Sequence, residues 1–202
     1  MNEAQFEKRL NIHTAGFQYG FPKDAHYHRY EPTPYEGLEQ LFEHYTLPEK
    51  SSVVDIGCGK GRVPIYLHDK FNIPTVGIEM DIKFYVEAEN NKQLYAKKIG
   101  RKNVPIQFLH ELGEQYHIAH ANNVFFFFNP FSLVIFRKVI MNILKSYEVQ
   151  PRRIDIILYY PAHDYLDYLQ YETPFEQLIE IALEGERNVN ERIIVFSLNV
   201  NK

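Results

Sequence analysis

The run Ser52-Val53-Val54-Asp55-Ile56-Gly57-Cys58-Gly59-Lys60-Gly61-Arg62 constrains the fold more than any other part of the chain. A short β-branched apolar run carries an acid near its end, and glycine then falls at every second position before a helix-forming stretch. Glycine tolerates positive φ and has no Cβ, so such a loop lets main chain lie directly against a ligand. Strand, glycine loop and helix in that order open a Rossmann-like parallel sheet.

The rest of the sequence alternates in the same way. Strand signals at 52–56, 75–79, 104–109, 124–128 and 154–160 are separated by helical patterns at 61–68, 81–98, 132–147 and 164–169. The strands are unbroken apolar runs, as expected where helices cover both faces of a sheet. Two further strands, 175–183 and 193–198, flank Glu184-Gly185-Glu186-Arg187-Asn188-Val189-Asn190, a linker too short for a parallel crossover. They predict an antiparallel hairpin. The expected fold is therefore α/β, a doubly wound, mostly parallel seven-stranded sheet with a C-terminal antiparallel hairpin. Residues 1–33, rich in Tyr, Phe and His, read as an irregular extension and a possible lid; 34–202 form the domain. Thr33 is placed to cap the helix that opens this domain, with Pro34 in the first turn and Glu36 completing a capping box.

Composition narrows the function. A length of 202 residues suits one well-buried domain, and a net charge of −4 argues against a strongly basic nucleic-acid binder. The single cysteine, Cys58, excludes an internal disulfide and a multi-cysteine zinc site. His26-x-His28 and His117-x2-His120 lack a carboxylate partner at ligand spacing, so no metal is expected. The start has no apolar core of a secretory signal, and no apolar run approaches the ~20 residues that span a bilayer. The expected location is cytoplasmic, with no membrane partner.

The loop does not suit a phosphate. A dinucleotide loop reads Gly-x-Gly-x-x-Gly, and Arg62 stands at the third glycine; the phosphate-loop pattern is absent. Asp55 would repel a phosphate and suits a ligand with an amino group and a positive charge. Three segments carry a family likeness: Val53 to Arg62, Gly77-Ile78-Glu79-Met80-Asp81, and Phe128-Asn129-Pro130-Phe131. On these the chain resembles the class I S-adenosylmethionine-dependent methyltransferases.

That resemblance implies the cofactor S-adenosyl-L-methionine. Asp55, Gly57, Cys58, Gly59 and Gly61 would lie around its methionine part, and Glu79, beside Met80, would take the ribose hydroxyls. Glu111, with His110 as the alternative, would meet the adenine amino group. Asn129, Pro130 and Phe131 become the catalytic candidates, because carbonyl oxygens there can accept the hydrogens of an amine and the ring can stack on it. The same segment also reads as a plain β-turn leaving a buried strand. Tyr19, Tyr27, His28, Tyr30 and Tyr35 either shield the reaction from water or simply pack the extension. Lys97-Lys98-Ile99-Gly100-Arg101-Lys102 and Arg152-Arg153 read as solvated helix ends or as a track for RNA.

The expected activity is in-line methyl transfer to a nitrogen. The acceptor stays open between a protein lysine, an RNA base and a small amine, and so does the oligomeric state. The alternative is a methyltransferase-like binding or scaffold protein without turnover. A nicotinamide oxidoreductase is disfavoured by Arg62 and Asp55.

Overall fold

The computed structural model of the chain describes residues 1–16, 18, 26–184, 188 and 190–199. Seven strands build the sheet: β1 (Val53–Ile56), β2 (Thr75–Glu79), β3 (Ile106–His110), β4 (Val124–Phe127), β5 (Ile154–Tyr159), β6 (Glu176–Ala182) and β7 (Arg192–Leu198). Their order is β3-β2-β1-β4-β5-β7-β6. The pairs among β1 to β5 are parallel, whereas β7 runs antiparallel to both β5 and β6. The expected seven-stranded sheet with its terminal hairpin is what the chain forms.

Helices α1 (Glu3–Leu10), α2 (Tyr35–His44), α3 (Arg62–Phe71) and α4 (Ile82–Lys98) cover one face; α5 (Leu133–Val149) and α6 (His163–Glu172) cover the other. Alternation along β4 feeds both cores. Phe126 joins the first, and Phe125 and Phe127 the second. The crossovers proceed from β1 through β2 to β3 and then return to β4 on the other side of β1. The crevice outside the carboxyl ends of β1 and β4 is thus the switch point where ligands bind in open parallel sheets.

Two local expectations fail, and for one reason. Residues 1–33 are not irregular throughout. Asn2 and Gln5 form a reciprocal capping box, and α1 follows. Its Phe6 and Leu10 are buried in the same core as α2 and α3, because Phe6 stacks on Tyr35 with centroids 4.5 Å apart. Nor does Thr33 cap α2. Pro34 stands at the cap position without a side-chain bond, and the first helical N–H, from Tyr35, donates to Glu3 Oε1 at 2.8 Å. The cap comes from a helix far upstream, so a local pattern search misassigns it.

Arg62 organises this junction. It is only 3% exposed. Its Nε donates to Thr14 Oγ1 (2.7 Å), and its Nη1 donates to Glu3 Oε2 (2.6 Å) and to Thr33 O (2.9 Å). The guanidinium lies 4.2 Å from the Tyr35 ring centroid, in cation–π contact. The residue that excludes a dinucleotide loop therefore ties the first helix to the glycine loop.

A second buried charge lies at the opposite end of the sheet. Asp155 of β5 accepts from Tyr45 Oη (2.6 Å), Ser197 Oγ (2.7 Å) and Arg153. Tyr45→Phe removes one charge-assisted bond without changing shape. It is expected to lower stability by about 1.5 kcal/mol, measured by urea unfolding.

Candidate active site

The glycine loop forms because β1 ends beside β2. Gly57 N and Cys58 N both donate to Ile78 O, at 2.9 and 3.0 Å. Gly57 takes φ 84°, and a Cβ there would lie 2.7 Å from Pro130 Cβ. Only glycine lets this loop touch the segment that leaves β4. Gly59, also at positive φ, is covered by the Tyr30 ring, and Gly61 packs towards Phe108 and Ala88. Cys58 fills space against Gly77; burial, with Asp55 and Glu79 nearby, pushes its thiol well up and keeps it protonated.

Two carboxylates face each other's field across this loop. Glu79, 8% exposed, accepts from Gly59 N and Asp81 N, each at 2.8 Å. Burial raises its pKa, partly offset by those N–H donors. Asp81 in turn caps α4 by accepting from Lys83 N at 2.7 Å. Asp55 is 4% exposed and has no side-chain donor among the described residues. Burial first, and the Glu79 charge second, push it well above the usual carboxylate range. A buried acid left without a donor is a site for a ligand's N–H or positive charge.

At the end of β4, Asn129 adopts φ 41°, and at the end of β5 Tyr160 adopts φ 48°. Non-glycine residues rarely occupy this region, and such strain concentrates at functional sites. Asn129 Oδ1 is buried and has no hydrogen-bond partner. Its backbone carbonyl is engaged, because His28 Nδ1 lies 2.6 Å from Asn129 O. A carbonyl only accepts, so Nδ1 carries the hydrogen. His28 N also donates to Pro130 O at 3.0 Å, and a bridge pairs Tyr27 with Phe131.

These groups share one cavity of about 1310 Å³. Asp55, Gly57, Cys58, Glu79, Met80, Glu111, Asn129, Pro130 and Phe131 all line it, whereas Gly59 and Gly61 support it from behind. Between the two candidates after β3 the geometry separates the roles. Glu111 is on the wall, while His110 turns its Nε2 to Met80 O at 3.0 Å and its ring to Tyr85. Phe131 is 2% exposed, packed edge-on to Phe127 and Tyr27, so it presents little face to a ligand. Half-buried rings on the wall include Phe128, Tyr160 and Phe84, to which sequence reasoning assigned no site role. The rule that ligands gather at strand ends, applied to β5 as well as β4, would have found Tyr160.

Of the expected shielding residues, Tyr27, His28 and Tyr30 line the cavity, and Tyr35 is a core residue bonded to Glu7 Oε1 at 2.9 Å. Tyr19 lies outside the described residues. Arg152 is spent on carbonyls of Asn122, Ser146 and Gln150 behind α5, and Arg153 on Asp155. Among the described residues no cluster of three potential metal ligands occurs, and no helix is long and apolar enough to cross a membrane.

No protein-family model matches the chain, and no curated protein matches it. Solved structures do. An RNA methyltransferase from Salinibacter ruber, crystallised with S-adenosyl-L-homocysteine, is 19% identical with TM-score 0.57, over 85% of this chain and 95% of that one. A TehB-like SAM-dependent methyltransferase from Corynebacterium glutamicum is 14% identical with TM-score 0.55, over 80% and 86%. An rRNA methylase from Streptococcus thermophilus is 15% identical with TM-score 0.51, over 82% and 95%. The chain has the Rossmann-like fold of the class I S-adenosylmethionine-dependent methyltransferases.

Proposed function

We propose that the chain transfers a methyl group from S-adenosylmethionine to a nitrogen. The observation that carries this reading is that one cavity is lined by Asp55, a buried acid at the β1 end to which no hydrogen bond contributes, and by Asn129, whose buried Oδ1 at the β4 end has no partner. The first fits the amino group and positive charge of the donor. The second fits an N–H of the acceptor. Two solved structures of this fold hold S-adenosyl-homocysteine, which supports the choice of donor.

The residues present fit that cofactor. Glu79 ends β2 on the cavity wall; each of its oxygens accepts one backbone N–H and has lone-pair capacity left for a pair of ribose hydroxyls. Glu111, whose backbone N donates to Glu79 O at 3.2 Å, is placed next along the wall for an exocyclic amine. Asp55, Glu79 and Glu111 would hold the cofactor, which would supply an electrophilic methyl group and a thioether leaving group to the lone pair of an acceptor nitrogen. The protein's part is placement and exclusion of water. Asn129 Oδ1 orients the acceptor by an N–H, and the Tyr27–His28 strap over Pro130 closes that side.

Calorimetry tests the donor site. S-adenosylmethionine and S-adenosylhomocysteine are expected to bind and NAD is not; NAD binding with no donor binding would overturn the assignment. A smaller effect is expected from His28→Ala. The substitution frees only the Asn129 carbonyl, because the backbone N–H at 28 still reaches Pro130 O; this should loosen the acceptor side, lowering turnover about tenfold with donor affinity changed less than about twofold. Equal loss of both would place His28 in the donor site instead.

A further inference from the structure

Charge is segregated along the strand direction. The face at the carboxyl ends of the strands, where the cavity opens, carries Glu31, Asp81, Glu111, Glu114, Asp164 and Glu184. Much of its positive charge is paired or buried: Lys60 with Glu87, Arg62 with Glu3 and Glu7, and Arg192 with Glu180. Arg29 and Lys83 are the cations on the cavity wall itself, apart from Arg62. On the opposite face exposed bases outnumber exposed acids, with Lys50, Lys97, Lys98, Arg101, Lys102 and Lys145 against Glu43, Glu49 and Glu148. Lys97, Lys98, Arg101 and Lys102 belong to the stretch that also read as a track for RNA, and α4 carries them to the far end of the molecule, because it runs back from β2 to the amino end of β3.

A polyanion would meet a like-charged mouth, whereas a cation would be drawn to it. The orphaned Asn129 Oδ1 behind that mouth calls for an N–H donor, and the Phe128 and Tyr160 rings beside it suit an alkylammonium stem. We infer that the acceptor is an aliphatic amine of lysine type on a basic protein or peptide segment. This rests on the methyl-transfer reading. The amine arrives as an ammonium, gives one proton to solvent, and attacks as the neutral nitrogen; methylation returns it to a cation.

The test uses the full chain saturated with S-adenosylhomocysteine, a fluorescein-labelled lysine-rich peptide, and a labelled single-stranded RNA oligonucleotide of equal length. By anisotropy the peptide is expected to bind more tightly than the RNA, and to weaken at least about fivefold between about 50 and 200 mM salt. Glu31→Lys with Asp164→Lys should weaken the peptide about tenfold while S-adenosylhomocysteine affinity stays level. With labelled donor, the methyl group should be recovered as methyllysine. Tighter RNA binding, label in nucleosides, or peptide binding indifferent to salt would overturn the inference while leaving methyl transfer standing. Absence of donor binding would overturn the underlying reading and this one with it. The wild-type salt series decides the matter even where the double variant folds poorly.

Discussion

Asp55→Asn is expected to raise the melting temperature of the donor-free protein by about 2–6 °C and to weaken S-adenosylmethionine binding about 10–100-fold. Both follow from one fact. The carboxylate is buried without a donor and sits in the field of Glu79, which raises its pKa in the folded state. A raised carboxyl contributes its full share to stability below about pH 4, its unfolded value, and loses it as pH rises towards the folded value. The neutral amide escapes that loss. The gain in melting temperature should therefore be absent near pH 4 and grow towards neutral pH, as scanning calorimetry across that range can show. Added donor should reverse the order, because the ligand's amino group and charge compensate the wild-type carboxylate but not the amide. A melting temperature that falls at every pH would mean that Asp55 is held by donors of the protein's own.

Asn129→Gly is expected to reduce turnover about 10²-fold with stability unchanged or slightly increased. Glycine suits φ 41° and deletes Oδ1, so it separates the backbone role of this position from its chemistry. Asn129→Ala deletes the same oxygen but retains a Cβ in the left-handed region. It should be as inactive and about 1 kcal/mol less stable than the glycine variant. Donor affinity should stay within about threefold in both, since Asn129 faces the acceptor side. Single-turnover transfer to the lysine-rich peptide, alongside donor titration, measures both quantities. Glycine restoring full turnover would show that Asn129 serves only to turn the chain.

The sheet was legible because its signals are local: each strand is a short apolar run, and the 184–190 linker leaves only an antiparallel return. The glycine loop, Glu79 and the Asn129 segment were legible too, since strand order brings strand ends together whatever the side chains do. What escaped notice was settled by partners distant in sequence. Glu3 caps a helix 32 residues downstream, and Arg62 binds side chains 48 and 59 residues upstream. Ser132 stands at the cap position of α5, but its hydroxyl pairs with His26 rather than with the helix. Periodicity also cannot report which way a ring turns. The family resemblance marked Phe131 as the aromatic at the site, whereas packing turned that ring inward and left Tyr160 on the wall.

A first helix ordinarily frays, and its amides exchange with solvent ahead of the interior. Here Glu3 and Glu7 of α1 grip the guanidinium next to the glycine loop, and Phe6 lies in the main core. The opening segment thus belongs to the cooperative unit of the sheet. Amides of α1 should exchange at the rate of global unfolding, and donor binding at the far side of Arg62 should slow them further.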